Sequence, residues 1–333
     1  MLTLTARGLY CPEGDFYVDP SRGVDRAVIT HAHSDHARRG SSRYFTARSG
    51  VGVLKARLGQ KIAVEGVEYG QRFRLGNVWV SLHPAGHILG SAQVRIEGPG
   101  GVWVASGDYK REPDPTCEPF EVVPCDAFVT EATFGTPSFR WSPGRELGRE
   151  IFDWWSANAA RGASSLLFAY SLGKAQRVLG ELAPHMTEPV LTHHTVTDLT
   201  DCYRAEGVRL APTRCLSEET GTLRGRLILA PPSVLDDAFE KRLGEYETAF
   251  ASGWMQGGTA YGRGAAYDKG FVMSDHADWD ALVRTARETG AKRVYVQHRG
   301  KGALVRHLRG LGIEAEPVEA LIEKPGGSQL RLI

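Results

Sequence analysis

Six consecutive residues, His31-Ala32-His33-Ser34-Asp35-His36, hold three imidazoles and a carboxylate. They follow the apolar stretch Ala27-Val28-Ile29. A strand that stops and then presents several nitrogen and oxygen ligands from one short loop is a metal-site pattern. Imidazole with carboxylate suits zinc, manganese or iron. The run offers more ligands than one tetrahedral ion can take while keeping a position open for water. It therefore points to two metals, and two metals point to hydrolysis.

Other segments follow the same grammar of a strand ending in a ligand type. His87 lies in Gly86-His87-Ile88-Leu89-Gly90-Ser91, between two strand-like runs. Asp108 follows Val102-Trp103-Val104-Ala105 within Ser106-Gly107-Asp108-Tyr109. Glu131 follows Ala127-Phe128-Val129-Thr130, and His298 follows Arg293-Val294-Tyr295-Val296. A β-sandwich whose strand ends share one rim would gather these residues at one place.

The elements that must position them read in three stretches. Residues before about 136 are mostly short apolar or alternating runs bounded by Gly, Pro and Asp, which predicts strands. After Phe134-Gly135-Thr136-Pro137 strands alternate with helical patterns. Ser165-Leu166-Leu167-Phe168-Ala169 reads as a buried strand, and Leu172, Ala175, Val178, Leu179 and Leu182 recur at helical spacing. Pro189-Val190-Leu191 and Leu227-Ile228-Leu229 read as further strands, giving a β-α-β pattern. Residues 253–264 are Gly-rich and read as a connection. The strand-then-histidine logic returns at Gly270-Phe271-Val272-Met273, followed by Ser274-Asp275-His276-Ala277-Asp278 and a helix over about 279–289. The expected division is 1–136, an insertion at 137–265, and a return to the first unit at 266–333.

In combination, the H-x-H-x-D-H run, the Gly-His-Ile-Leu-Gly-Ser loop and Ser-Gly-Asp-Tyr resemble the metallo-β-lactamase superfamily. Glu131-Ala132-Thr133-Phe134-Gly135, the stretch Phe168-Ala169-Tyr170-Ser171-Leu172-Gly173-Lys174-Ala175-Gln176, and Ser274-Asp275-His276-Ala277-Asp278 are similar to its β-CASP nuclease branch. That branch includes the polyadenylation endonuclease, RNase J and the Artemis-type repair nucleases. The region Gly253-Trp254-Met255 and the short length look nearest to bacterial exonucleases associated with an ATP-dependent DNA ligase and a helicase. The resemblance implies an α/β fold, an αββα metallo-β-lactamase sandwich with an inserted β-CASP cap. It implies that His31, His33 and His87 hold one metal, that Asp35, His36 and His298 hold a second, and that Asp108 bridges both. Asp19 would orient ligating groups from behind, as metal-bound imidazoles require. Glu131 and His276 would sit at the scissile phosphate. The setting of His298 departs from the family, because Arg299 stands as an extra residue before Gly300.

The chemistry supports such a site. A phosphodiester is anionic and resists attack at neutral pH. Two divalent ions, zinc by expectation with manganese or iron as alternatives, neutralise its charge and activate a water. A protonated histidine at the leaving oxygen adds general acid catalysis, and an adjacent carboxylate favours the charged imidazole. Ser171 and Lys174, at an expected helix start, are candidate phosphate contacts, against the plainer reading of Ser171 as a helix cap.

Bulk properties set outer bounds. The 333 residues carry 42% apolar and 24% charged side chains and a net charge of +1, ordinary for a globular protein and silent on nucleic acid. No apolar stretch is long enough to span a membrane. The start of the chain lacks a signal-peptide pattern, and five cysteines without C-x-x-C spacing argue against a disulfide or thiolate-zinc framework, so the expected location is cytoplasmic. The resulting expectation is a DNA nuclease, a 5′-to-3′ exonuclease in repair, acting on single-stranded or end-containing DNA. Three alternatives stay open: an RNA-processing nuclease, which His298 favours, a small-molecule lactonase or thioesterase, and a non-catalytic scaffold.

Overall fold

The computed structural model describes residues 1–142, 144–234, 237–257, 260–261 and 265–322. Seven α-helices are described: α1 (Val51–Leu58), α2 (Leu147–Ala160), α3 (Lys174–Leu182), α4 (His194–Ala205), α5 (Asp237–Leu243), α6 (Trp279–Glu288) and α7 (Lys301–Gly310).

Two sheets face each other. One has six strands in sequence order, from Thr3–Thr5 through Arg26–Val28 to Val64–Val67. The other has seven, ordered Glu314–Pro317, Arg293–Val296, Ala127–Thr130, Gly101–Ala105, Ala92–Gly98, Val78–Pro84 and Phe73–Leu75. Strand alternation decides which side chains meet between them. Ala127 and Val129 point into the shared core with Phe16, Val28, Phe45, Leu82 and Ile96, whereas Phe128 points outward. That outer face is covered by Leu282 and Ala286 of α6 and by Leu304 and Leu308 of α7. The outer face of the first sheet, at Ala27 and Tyr44, is covered by Val53 and Leu54 of α1 and by Leu199 and Tyr203 of α4. Full burial of a side chain such as Phe128 contributes about 1.5–3 kcal/mol. The layering thus follows directly from apolar residues on both faces of the strands.

A third sheet is parallel throughout. Its order is Thr213–Cys215, Val190–Thr192, Leu227–Ala230, Ser164–Phe168, Tyr246–Ala251 and Lys269–Phe271. The near-continuous apolar runs Leu227–Ala230 and Ser164–Phe168 are buried on both faces, as parallel strands require. The helix expected from Leu172 starts two residues later, at Lys174, because Gly173 adopts φ +83°. The first stretch, read as mostly β, also contains α1. Of the Gly-rich connection, residues 258–259 and 262–264 lie outside the described residues. All five cysteines are free thiols. Among the described residues no helix is long and apolar enough to cross a membrane.

Parallel neighbours end at the same edge, and this sets the rim. Thr130 pairs with Val296 and Ala105 with Val129, so Glu131, His298 and Asp108 all emerge on one side. The His87 loop reaches the same rim as a tight turn. Ser91 Oγ accepts from the backbone N–H of His87 at 3.0 Å and of Ile88 at 3.2 Å. Gly90 closes the turn at φ +72°, and a Cβ placed there would lie 2.2 Å from Gly50 Cα. Gly90→Ala combines left-handed strain with a backbone clash and is expected to destabilise the fold by about 2–4 kcal/mol. Urea denaturation checks this; a midpoint equal to that of the unmodified chain contradicts it.

Candidate metal centre and active-site cleft

Asp108 is the hub of the rim. Its Oδ2 lies 3.4 Å from His36 Nε2, 3.7 Å from His31 Nε2, 3.9 Å from His87 Nε2 and 4.0 Å from His276 Nδ1. Its Oδ1 lies 3.6 Å from His298 Nδ1. The ligand atoms fall into three groups, each within 4.8 Å: His31, His33, His87 and Asp108; His36, Asp108 and His298; and Asp108, Glu131 and His276.

The hydrogen bonds behind the rings decide which nitrogen each presents. His87 Nδ1 lies 2.7 Å from the carbonyl of Asp275, which can only accept, so Nδ1 carries the proton and Nε2 is bare. His33 Nε2 lies 3.1 Å from the carbonyl of Leu172, so His33 Nδ1 is bare. These two bare nitrogens face each other at 3.1 Å. The single hydroxyl proton of Thr30 goes to Asp19 Oδ2, at 2.5 Å. Thr30 Oγ1 therefore accepts from His31 Nδ1 at 3.0 Å, leaving His31 Nε2 bare, buried and without a hydrogen-bond partner. Asp19 Oδ2 also accepts from His36 Nδ1 at 2.7 Å, which turns His36 Nε2 toward Asp108. Asp108 Oδ1 is likewise buried and unpartnered. Lone pairs converging without a proton between them are unfavourable unless a cation sits among them. The donor set thus fits divalent cations.

The electrostatics agree for three of the four rings. Burial pushes the pKa of His31, His33 and His87 below the ordinary imidazole value, so they are neutral, as ligands must be. For His36 burial acts downward, but the Asp108 and Asp19 carboxylates lift it well above that value. Burial alone would raise Asp108; His36, His276 and His31 hold it well below the usual carboxylate range.

Backbone geometry is strained at two of these positions. Asp19 has φ +46° and His298 φ +70°, a left-handed conformation costing of order 1–3 kcal/mol for such residues. At His298 it absorbs the extra residue Arg299. Gly300 then docks on the Glu131 loop, its N–H donating to Ala132 O at 2.8 Å, and a Cβ there would lie 2.4 Å from that oxygen. Thr133 Oγ1 lies 3.3 Å from His298 Nδ1.

Beside the hub, Glu131 is fully buried and satisfied. It accepts from Tyr109 N at 2.7 Å and Thr133 N at 3.2 Å. His276 Nδ1 lies 3.0 and 3.1 Å from its two oxygens, so Nδ1 donates to Glu131 and Nε2 is left to the cleft that the ring lines. Burial would lower His276, but Glu131 raises its pKa to about 9. Trp141 Nε1 donates to His276 O at 2.9 Å.

A buried ionic chain fixes the segment carrying His276. Lys174 Nζ pairs with Asp275 at 2.8 Å, and Arg177 lies 3.5 Å from both Asp275 and Asp114. Lys110 pairs with Asp114 at 2.5 Å, and Arg177 donates to Ser274 O. Burial draws Lys174 down to about 8 against the pull of Asp275.

The expected site residues therefore divide. His31, His33, His36, His87, Asp108 and His298 converge, with Asp19 behind them and Glu131 and His276 alongside. Asp35 lies at the cleft rim, 71% exposed and 3.8 Å from His36 Nε2, outside the three groups. Ser171 lines the cleft and lies 3.0 Å from Thr195 Oγ1. Lys174 does not reach the cleft: its ammonium is buried against Asp275, which corrects its reading as a phosphate contact. Sequence reasoning missed Thr30, Asp275 and the carbonyl of Leu172. The first two stand inside or beside quoted motifs; a carbonyl leaves no sequence signal. The cleft itself measures about 650 Å³ and is walled by Arg57, Tyr170, Leu172, Trp254 and Arg299.

No family model matches the chain. A protein named "Probable DNA ligase" from Opitutus terrae is 32% identical over 316 residues, covering 93% of this chain and 30% of that protein. A protein named ribonuclease TTHA0252 from Thermus thermophilus is 29% identical over 201 residues, covering 51% of this chain and 45% of the relative. An RNase J-like protein from Methanocaldococcus jannaschii is 25% identical over 181 residues, covering 47% and 43%. The matches thus span less than half the length of these curated relatives. A solved structure of a protein of unknown function from Enterococcus faecalis V583 shares the fold, with a TM-score of 0.54 at 12% identity, over 83% of this chain and 76% of that one. By these relatives, the chain belongs to the β-CASP branch of the metallo-β-lactamase superfamily.

Proposed function

We propose that the protein is a metal-dependent nuclease that hydrolyses phosphodiester bonds in DNA, a 5′-to-3′ exonuclease acting in repair. The observation that carries the hydrolytic reading is the convergence of unprotonated imidazole nitrogens on Asp108, with the Glu131–His276 pair directly beside them. The choice of DNA is supported by the match of 93% of the chain to part of a protein named for DNA ligase. That match also supports a DNA ligase as a functional partner; a helicase partner rests on the resemblance alone. A second reading, RNA cleavage on the same scaffold, is favoured by the histidine at 298 and by the names of the ribonuclease relatives.

In this reading the layered sheets are the αββα metallo-β-lactamase sandwich, built from residues 1–136 and 266–333. The third sheet would form a β-CASP cap at 137–265, and its edge strand Lys269–Phe271, paired with Tyr246–Ala251, carries that sheet a few residues past the expected boundary. His31, His33, His87 and Asp108 would hold one cation, and Asp35, His36, His298 and Asp108 the other. Two such ions, zinc by expectation, would supply charge neutralisation at the phosphate and an activated water.

The protein's own residues do the rest. Asp19 turns His36 Nε2 toward Asp108, and Thr30 holds His31 in the tautomer that leaves Nε2 bare. The carbonyls of Leu172 and Asp275 do the same for His33 and His87. Glu131 fixes the ring of His276 so that Nε2 delivers a proton to the leaving oxygen. Leu172 and Trp254 give the cleft apolar lining.

End-labelled single-stranded DNA and matched RNA, incubated with zinc- or manganese-loaded protein, test the function. Stepwise release from the 5′ end of DNA, faster than from RNA, is expected. Faster RNA cleavage selects the second reading, and faster turnover of an ester substrate overturns both. His276→Ala is expected to lower kcat on the preferred strand by about 10²–10⁴-fold while metal content stays at that of the unmodified protein; equal kcat would remove His276 from the reaction. Asp19→Ala is expected to weaken metal affinity by about 10–100-fold. Competition against a chromophoric chelator measures it, and unaltered affinity would show that Asp19 does not orient the ligands.

A further inference from the structure

The cleft holds two arginines that the proposed reaction does not use. Arg57 stands in the last turn of α1 and donates its Nε–H to the carbonyl of Ala32 at 3.2 Å. Its head is therefore fixed against the loop carrying His31, His33 and His36, with its terminal nitrogens still available. Arg299 is the extra residue between His298 and Gly300, exposed and carried into the cleft lining by the left-handed turn at His298. Both side chains line the same cleft as Asp108 and His276.

Neither guanidinium forms an ion pair with a carboxylate among the described residues, whereas Arg111, Arg140 and Arg177 do. Arg57 also lies within electrostatic reach of Arg38 and Arg39, with Asp35 as the opposing charge. Once Asp35 faces a cation, that counter-charge is spent. Like charges held together beside a reaction centre need an anion, and guanidinium matches the paired oxygens of a phosphodiester. A strand's backbone presents such an anion at every nucleotide, on either side of the bond being cut.

We propose that Arg57 and Arg299 contact the phosphodiesters flanking the scissile one, and so select a polyanionic strand over an isolated phosphodiester. This rests on the phosphodiesterase reading above and extends it to how the substrate is held.

The test measures binding of a single-stranded decanucleotide with cleavage-resistant phosphorothioate linkages to the metal-loaded protein across a salt series. Hydrolysis of bis(4-nitrophenyl) phosphate, which has no flanking phosphate, is followed in parallel. Arg57→Gln and Arg299→Gln are each expected to weaken oligonucleotide binding several-fold and to flatten the log–log salt dependence by about 0.7. Arg299→Lys is expected to keep the steep slope. The loss of kcat/KM on an unmodified oligonucleotide should exceed the loss on the small diester several-fold. An unaltered salt slope, or equal losses on the two substrates, would overturn the proposal. Because binding is read without turnover, a protein that shows the slope change but cleaves neither substrate contradicts the nuclease reading while still placing Arg57 and Arg299 on the phosphates of a bound strand.

Discussion

The structure depends on one buried carboxylate. Asp108 is 5% exposed, yet five imidazole rings lie within 4.0 Å of its two oxygens. Burying an ionised carboxylate is strongly unfavourable unless charge and hydrogen bonds compensate. Here burial keeps His31 and His87 neutral, His36 and His276 supply positive charge, and the outer nitrogens of His31, His36, His33 and His87 are committed to Thr30, Asp19, Leu172 and Asp275. The result is a set of lone pairs aimed at one small volume. Cations resolve that arrangement, and the fold around it exists to keep the lone pairs pointing inward.

The third sheet and its helices take part in that task. The carbonyl of Leu172 reaches His33 from the segment before α3, and the Tyr203 hydroxyl of α4 accepts from the Leu89 N–H at 3.2 Å in the His87 loop. Lys174 and Arg177 tie α3 to Asp275, whose carbonyl holds His87. The third sheet therefore does more than roof a cleft. The segments that follow its strands Ser164–Phe168 and Lys269–Phe271 supply two of the contacts that set histidine tautomers, so the placement of this sheet and the aim of the His33 and His87 lone pairs are coupled through short hydrogen bonds.

Much of this was legible in the sequence. His31, His33 and His36 are adjacent, chemically distinctive and placed after an apolar run, so their convergence needed only the loop. His87, Asp108, Glu131 and His298 were readable because each follows a strand, and parallel pairing brings such ends together. The burial of Lys174 was not legible, because it depends on Asp275, about a hundred positions away. The exposed position of Asp35 depends on how the loop turns after Ser34. Backbone acceptors were invisible altogether, since any residue type carries a carbonyl. The turn at His298 was visible only as a departure from the family spacing; the structure shows a left-handed residue absorbing it.

Anomalous diffraction from crystals of the metal-loaded protein tests the central claim most directly. Two peaks are expected about 3.5–4 Å apart, flanking the Asp108 carboxylate. One should contact His31, His33 and His87, the other His36 and His298. A single peak, or two that do not share Asp108, would contradict the account.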